Sequence, residues 1–382
     1  VARVQSYLRS LQKEIQLQAT LFDRGRKVRQ LHFGGGTPTY LNPRELTSLM
    51  GWLDNAFSLE SGASREFSIE VDPRTVDRES IALLGELGFN RLSLGIQDFD
   101  PRVQMAVNRI QTAAEVDRLL ATARHNNFHS VSFDLIYGLP QQTVESFDRT
   151  LSMVIAMRPD RIAIYNYAHL PQRFKGQRMI NEAHIPAPQV KLRIFHNTVD
   201  RLSAAGYEYI GMDHFALPHD DLVVARQTGT LQRNFQGYST HGECELIGLG
   251  VSAIGSIGSV YSQNATATSE YETMLGTGRL PVRRGIVVDE DDRLRAQIIQ
   301  SLMCYDELDL EAFSKRNNVD FLGYFADELG RLVPLEQDGL IEIGPGRIRI
   351  TSKGRLLLRS IAMVFDRYLA GEQNSGRYSK AI

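Results

Sequence analysis

Polar and glycine-rich groups recur along the first half of the chain, each placed where a short apolar run ends. In chain order they are Gly34-Gly35-Gly36, Glu70, Gln97, Asp134 and Asn166 with His169, about one every 30 residues. Carboxylates accept hydrogen bonds from ammonium and hydroxyl groups, so Glu70 suits an amine and Asp134 a ribose. Gln97 together with Arg109 suits a carboxylate. As a set these groups predict a site for an amino-acid nucleoside, although each alone is better explained by helix capping or by pairing within the fold.

The turn at residues 34–38, Gly-Gly-Gly-Thr-Pro, offers backbone N–H groups that no bulky side chain shields. It lacks the G-x-G-x-x-G spacing of a dinucleotide fingerprint, and no lysine follows it as in a P-loop. A tight structural turn and a ligand-binding turn explain this segment equally well.

A second glycine-rich segment, residues 248–255, follows the sequence RNFQGY at 233–238. This pattern predicts either a late strand with a bulge or a flat, aromatic-lined site in which the Gln236 amide reads a polar ligand. Basic residues in nearby loops would either neutralise an acidic substrate or form a solvated face: Arg173, Lys175, Arg178 and Arg233.

Composition excludes several classes of protein. With 43 basic and 45 acidic residues among 382, the net charge of -2 argues against a nucleic-acid-binding protein. The longest uncharged stretch, 246–262, is shorter than the roughly 18 to 20 apolar residues of a membrane span. The histidines show no zinc spacing, and no G-x-S-x-G elbow predicts a serine hydrolase. The two cysteines, Cys244 and Cys304, are too few for a disulfide framework or an iron–sulfur cluster.

Strands and helices alternate between Gln30 and Gly211. The segments that predict buried strands are QLHFGG, EFSIEVD, RLSLGIQ, SVSFDLIYG, RIAIYNY and YEYIGMD. Helices with capping boxes lie between them, at Asn42 with Glu45 and at Thr112 with Glu115. This alternation predicts a parallel sheet whose carboxyl ends bring the polar groups together. A complete or open barrel and an open doubly wound sheet both fit the pattern.

From about Asp289 the pattern changes to helices followed by two alternating segments, IEI and RIRI, joined at residues 344–346. These segments predict a hairpin, and Thr351 then opens a predicted last helix with an apolar stripe.

Two domains are predicted on these grounds. A barrel domain covers residues 1–287, and a smaller, mainly helical, winged-helix-like domain covers 288–382. We expect the second domain to act as a lid or buttress rather than to bind DNA, because acidic residues offset its basic ones. The polar residues 371–382 predict a mobile tail.

Nine segments of the chain carry a family resemblance: FGGGTPTYL (33–41), SIEVDPR (68–74), GFNRLSLGIQDFD (88–100), VNR (107–109), FDLIYGLPQQT (133–143), YNYAHLP (165–171), GMDHFALP (211–218), RNFQGYST (233–240) and GLGVSAIG (248–255). Together they resemble the bacterial oxygen-independent coproporphyrinogen III oxidases, radical S-adenosylmethionine (SAM) enzymes of haem synthesis. The resemblance implies an α/β fold: an open, partial TIM-type β6/α6 barrel followed by a helical C-terminal domain. It also implies a cytoplasmic monomer.

The resemblance implies roles for individual residues as well. Those that would hold the amino group of a first SAM molecule are Gly35, Gly36 and Thr37. Those that would line the rest of its site are Glu70, Gln97, Arg109 and Asp134, with Ala168 against the adenine. Those that would touch a second SAM molecule are Gln236 and Ile254.

In the resembling family, a four-iron four-sulfur cluster held by three cysteines splits SAM. The resulting 5′-deoxyadenosyl radical removes a hydrogen from a propionate of coproporphyrinogen III. Loss of carbon dioxide and of one electron leaves a vinyl group, and two such reactions give protoporphyrinogen IX. The implied partners are coproporphyrinogen III, an electron donor and an electron acceptor, with neither nucleic acid nor a membrane.

The family's C-x3-C-x2-C motif does not occur in this sequence. We expect it upstream of Val1, with the first βα unit truncated, no metal ligand among these residues and no activity by this route from the chain alone. Two alternatives stay open, a related haem chaperone and a cluster-free module that binds SAM or porphyrin. Gln236 and the NYAHLP segment favour the oxidase over the chaperone.

Reconstitution of this chain with iron and sulfide should leave it colourless, because two cysteines cannot supply three thiolates to a cluster. The measurement is the iron content and visible absorbance of the desalted protein. A variant carrying Cys244→Ala and Cys304→Ala is the control and should be indistinguishable from the unchanged chain. A stoichiometric cluster that only the unchanged chain retains would contradict this prediction.

Overall fold

The computed structural model describes residues 2–369, so the predicted mobile tail at 371–382 lies outside them. The strands are β1 (Lys27–Val28), β2 (Gln30–Phe33), β3 (Ser58–Leu59), β4 (Glu66–Val71), β5 (Arg91–Gln97), β6 (Ser130–Tyr137), β7 (Arg161–Asn166), β8 (Glu208–Gly211), β9 (His214–Ala216), β10 (Gln232–Asn234), β11 (Gly237–Ser239), β12 (Ile254–Ile257), β13 (Val260–Asn264), β14 (Val282–Val287), β15 (Glu307–Asp309), β16 (Ile341–Gly344) and β17 (Arg347–Ile350).

The α-helices are α1 (Ala2–Ala19), α2 (Pro43–Ala56), α3 (Arg78–Glu86), α4 (Pro101–Ala106), α5 (Ala113–His125), α6 (Val144–Met157), α7 (Pro188–Ala204), α8 (Asp221–Thr228), α9 (Thr268–Gly276), α10 (Glu290–Tyr305), α11 (Leu310–Asn317), α12 (Phe321–Tyr324), α13 (Ala326–Gln337), α14 (Ser352–Arg355) and α15 (Leu358–Ala362). Short 3-10 helices lie at Pro38–Tyr40, Pro73–Thr75, Lys175–Met179, Glu182–His184 and Met363–Phe365.

Backbone contacts divide the chain into two compact units. Among the described residues, the first unit holds those up to 135, 156–160 and 243–288, and the second holds 136–155, 161–242 and 289 to 369. The second unit therefore combines the predicted C-terminal domain with part of the predicted barrel. The assignment of domains at residue 287 stays a prediction.

The first unit is built on a parallel ladder in the order β2-β4-β5-β6. Capping boxes begin α2 and α5 at the residues that the sequence predicts. The parallel pairing and the alternating helices are therefore confirmed within this unit.

Three strands of this ladder, β4, β5 and β6, have one buried face each, whereas β2 is partly exposed throughout. Ile69, Leu94 and Phe133 are fully buried, whereas the residues next to each in sequence are partly exposed. The segments predicted to be buried strands are buried on one face in β4 and β5, because period-2 alternation gives each an apolar face and a polar face. The polar face carries Glu70 and Asp134.

Helix α1 is fixed within the first unit by a buried carboxylate, Glu14, whose exposed fraction is 0%. It accepts hydrogen bonds from the N–H of Gly250 at 2.7 Å, from Asn264 Nδ2 at 2.6 Å and from the Tyr271 hydroxyl at 2.6 Å. Burial raises the pKa of Glu14 despite these donors, which favour the charged form. The second glycine-rich segment is thus held at Gly250, just before β12.

The second unit contains a strand that the sequence analysis missed. His214–Ala216 forms β9, which pairs antiparallel with both β7 and β8. A three-residue strand gives too short an alternation to be recognised from periodicity.

The C-terminal hairpin is confirmed, since β16 and β17 pair antiparallel as predicted, with β15 on the other side of β17. The single last helix is wrong, because it divides into α14 and α15. Gly354 packs against the carbonyl of Leu340, and Leu357 leaves helical geometry. The break allows Leu358 and Ile361 to enter the core of this region. Among residues 2–369, no helix has both the length and the apolar character needed to cross a bilayer.

Glu14→Ala should lower the free energy of unfolding by about 3 kcal/mol, because three buried donors lose their acceptor. The measurement is urea denaturation. Glu86→Ala, at an exposed glutamate of α3, is the matched control and should change stability by less than about 0.5 kcal/mol. Equal effects of the two substitutions would refute the role of Glu14.

The Glu14 carboxyl also predicts how the free energy of unfolding depends on pH. Because the pKa of Glu14 is raised in the folded state, the folded chain holds this proton more tightly than the unfolded chain does. Its contribution to stability therefore falls as the pH rises above the ordinary glutamate pKa. Glu14→Gln should remove this part of the dependence of the unfolding free energy on pH.

Candidate active site

Glu70, at the carboxyl end of β4, is the centre of the polar face. The N–H of Gly35 donates to its Oε2 at 3.1 Å, and His32 Nε2 lies 3.4 Å from its Oε1. The Nδ1 of His32 in turn contacts the Ser68 hydroxyl at 2.8 Å. Burial alone would raise the pKa of Glu70, but His32 and the Gly35 N–H outweigh it and lower this pKa below its usual value. Glu70 is therefore an ionised acceptor.

The glycine turn has one packed residue and two open ones. A Cβ on Gly34 would lie 2.6 Å from Glu70 Oε1 and would also contact His32 Nε2. Gly35 has a φ of +98°, and a Cβ on Gly35 or Gly36 would meet no atom within 4 Å. Gly34 thus lets Glu70 approach the turn, while the other two leave the backbone open to a ligand.

Asp134, on β6, is a second carboxyl of the same face and accepts a hydrogen bond from the Ser93 hydroxyl at 2.7 Å. Burial raises the pKa of Asp134 to about 6, and the charge of Glu70 adds to this rise, while Ser93 and His32 oppose it. The site thus holds one carboxylate that is ionised at neutral pH and one that titrates just below it. This pair can accept from an ammonium group and from a hydroxyl.

The side chains of Gln97 and Arg109 both lie next to Gly95. A Cβ on Gly95 would lie 2.9 Å from Gln97 Nε2 and 3.5 Å from Arg109 Nη1. The other arm of the guanidinium donates from Nη2 to Asp72 at 2.9 Å. The pair can therefore offer an amide and one guanidinium arm to a carboxylate, with Asp72 fixing the orientation.

The remaining predicted residues do not join this contact network. Thr37 precedes the 3-10 helix at Pro38–Tyr40 with an exposed side chain, and Ile254 begins β12. Ala168 and Gln236 belong to the second unit. There the carbonyl of Ala168 accepts from Gln177 at 3.0 Å, and the N–H of the exposed Gln236 donates to Asn234 at 2.9 Å. The roles of these residues in binding stay predictions.

Sequence reasoning missed His32, Ser68 and Ser93. His32 and Ser68 are register partners on β2 and β4, and Ser93 on β5 is the register partner of Glu70. These residues could have been found from the alternation of each strand, because polar residues at every second position lie on the same face as Glu70 and Asp134.

The cysteines do not fit an iron–sulfur cluster. Cys244 is exposed, while Cys304 is buried, and its thiol donates to Gln300 at 3.4 Å. Burial raises the pKa of Cys304 to about 12, so it is a thiol rather than the thiolate that iron needs. SAM, by contrast, fits the first unit, where an ionised carboxylate stands beside an open glycine turn.

Comparison with known proteins places this geometry in a family. The Radical SAM superfamily model matches residues 2–154, and the HemN C-terminal domain model matches residues 288–357. The oxygen-independent coproporphyrinogen III oxidase of Pseudomonas aeruginosa is 50% identical over 98% of this chain and 82% of its own length. The chain belongs to the oxygen-independent coproporphyrinogen III oxidase family. Members of this family are radical SAM enzymes, which use SAM and a four-iron four-sulfur cluster.

A solved structure of one member confirms the fold class. Coproporphyrinogen III oxidase (HemN) from Escherichia coli superposes with a TM-score of 0.92 at 46% identity, over 96% of this chain and 84% of that one. The predicted radical-SAM partial barrel with a helical C-terminal domain is therefore correct.

Substitutions at Gly34 and Gly36, two glycines of the same turn, should separate an effect on packing from an effect on SAM binding. Gly34→Ala should lower both stability and SAM affinity, because its methyl group would displace Glu70 and His32. Gly36→Ala should leave the melting temperature unchanged and weaken SAM binding alone, because its methyl group enters open space that we assign to the ligand. Thermal unfolding and calorimetric titration with SAM measure the two effects. Equal SAM affinity of Gly36→Ala and the unchanged chain would remove this turn from the site.

Proposed function

We propose that this protein acts in the oxygen-independent oxidative decarboxylation of coproporphyrinogen III, converting two propionates to vinyl groups and giving protoporphyrinogen IX. The observation that carries the proposal is the ionised carboxylate of Glu70 beside the open turn at Gly35 and Gly36. It occurs in a chain whose relatives in Pseudomonas aeruginosa and Escherichia coli are coproporphyrinogen III oxidases.

Each residue of the face has a role in holding SAM. Glu70 and the backbone carbonyls of residues 35–37 receive the ammonium group, because these groups are acceptors and an ionised carboxylate is the strongest acceptor present. Asp134 accepts a ribose hydroxyl. Gln97 and Arg109 face the methionine carboxylate.

When bound, SAM supplies the 5′-deoxyadenosyl group that takes a hydrogen atom from the propionate. The share of this chain is to fix the nucleoside and to keep water from the reacting atoms. Ala168 against the adenine, a second SAM beside Gln236 and Ile254, an electron donor and an electron acceptor all belong to the proposal. So do a monomeric state and a cytoplasmic location.

Glu70→Gln should weaken SAM binding by at least roughly tenfold, since it replaces a charged acceptor of the ammonium group by a neutral amide. Isothermal titration of the chain with SAM measures this effect without iron or turnover. Glu66→Gln is the matched control, because Glu66 lies on the same face of β4 but is ion-paired with Arg91 at 3.3 Å. If both variants bind SAM as the unchanged chain does, Glu70 does not hold the nucleoside.

The same titration, repeated with porphyrins, separates the oxidase from a haem chaperone. An oxidase should prefer coproporphyrin III, which keeps all the propionates of the substrate, whereas a chaperone should prefer haem. Preference for haem would contradict the proposed function.

A further inference from the structure

Arg233 of the second unit is a half-buried cation that makes no ion pair within residues 2–369. It lies on β10 opposite Tyr238 of β11, and its guanidinium carbon is 5.4 Å from the centre of the Tyr238 ring. Within residues 2–369 its guanidinium makes neither an ion pair nor a hydrogen bond, and its Nε is buried. Gln300 fixes the backbone, since the Arg233 N–H donates to its Oε1 at 3.0 Å. A desolvated, held guanidinium of this kind suits an anionic ligand.

His214 of β9 adds a neutral donor to the same place. Its ring meets Tyr238 edge-on at 5.3 Å and Tyr165 at 6.2 Å between ring centres. Burial, with the charges of Arg233 and Arg161, lowers the pKa of His214 to about 3, so the ring is neutral at pH 7.

The tautomer of His214 follows from its surroundings. Nδ1 is buried and has no partner among the described residues. A buried acceptor without a partner is tolerated better than a buried donor without one, so we assign the proton to Nε2. Nε2 lies beside Gly237, 3.7 Å from where a Cβ would stand. With this tautomer the ring presents an N–H donor at Nε2, on the side of Gly237.

The other charged groups around this pair leave its charge uncompensated. Arg161 is ion-paired with Asp220 at 2.8 Å. Asp213 lies close enough to feel the charges of Arg359 and Arg233, yet no ion pair joins it to Arg233 in the described part of the chain, and burial raises its pKa. Arg233 thus has no ion-pair partner among residues 2–369 and can pair with an anionic ligand.

We propose that Arg233 and His214 bind a carboxylate of the substrate, a propionate of coproporphyrinogen III, with the attached pyrrole ring against Tyr238 and Tyr165. The inference rests on the proposed function and names a binding site for its substrate. A cation and a neutral N–H donor match a carboxylate, and two aromatic rings match a flat pyrrole. The methionine carboxylate of SAM has the same chemistry as a propionate but carries no pyrrole ring beside it.

The test is fluorescence titration of the full chain with coproporphyrin III. Arg233→Gln and His214→Gln should each weaken binding, Arg233→Gln by roughly 10- to 100-fold, because a charge-assisted pair is lost. Arg233→Lys keeps the charge without the planar fork of donors. Its affinity for coproporphyrin III should therefore lie between those of the unchanged chain and Arg233→Gln. Arg347→Gln, at an exposed arginine of β17 that faces Glu307 at 3.5 Å, is the control and should bind as the unchanged chain does.

Two further arms identify the source of the carboxylate and separate this inference from the proposed function. The tetramethyl ester of coproporphyrin should bind the unchanged chain and Arg233→Gln equally, since it has no carboxylate. The affinity for SAM should be the same in the unchanged chain and in Arg233→Gln. Coproporphyrin III binding that is unaffected by Arg233→Gln and Arg233→Lys, in variants that melt normally, would overturn the inference and leave the proposed function standing. If Arg233→Gln loses affinity for SAM and not for coproporphyrin III, the assignment to a propionate is wrong. If the unchanged chain binds no coproporphyrin III, the proposed function itself is wrong.

Discussion

The candidate site depends on a negative charge held at the end of a strand. Glu70 is removed from much of its water, which by itself disfavours ionisation, and the Gly35 N–H and His32 restore the charged form. Both partners come from the adjoining β2 and the turn after it, so the parallel register of β2 and β4 fixes the whole arrangement. Gly34 is the residue that makes the approach possible, because any side chain there would occupy the position of the carboxylate.

The strands that carry this charge also make the core, by dividing their two faces. On β4, β5 and β6 the apolar residues are buried and the intervening polar residues converge on the other face. The core therefore orients the site directly: a slip of one residue in any strand would bury the carboxylates and expose the apolar side chains. Glu14 supports the same unit from its N-terminal helix, since it joins that helix to the segment leading into β12.

Much of this arrangement could be predicted from the sequence, because local signals and strand ends are short-range features. The capping boxes at Asn42 and Thr112, the parallel strands and the set Glu70, Gln97 and Asp134 are of this kind. Features that depend on tertiary partners could not be predicted. Arg109 is oriented by Asp72, the strand β9 exists because β7 and β8 flank it, and the last helix breaks at Leu357, after Gly354 has packed against Leu340. His32 was missed because one histidine in a four-residue strand has no periodicity of its own.

We propose that the residues of the polar face position SAM, whereas the two cysteines of this sequence do not fit the cluster. A crystal structure of the chain with SAM tests the first part most directly. We predict that the methionine nitrogen lies within hydrogen-bond distance of a Glu70 carboxylate oxygen and that the ribose hydroxyls lie at Asp134. A well-ordered nucleoside bound away from Glu70, with the turn at Gly35 and Gly36 left empty, would contradict it.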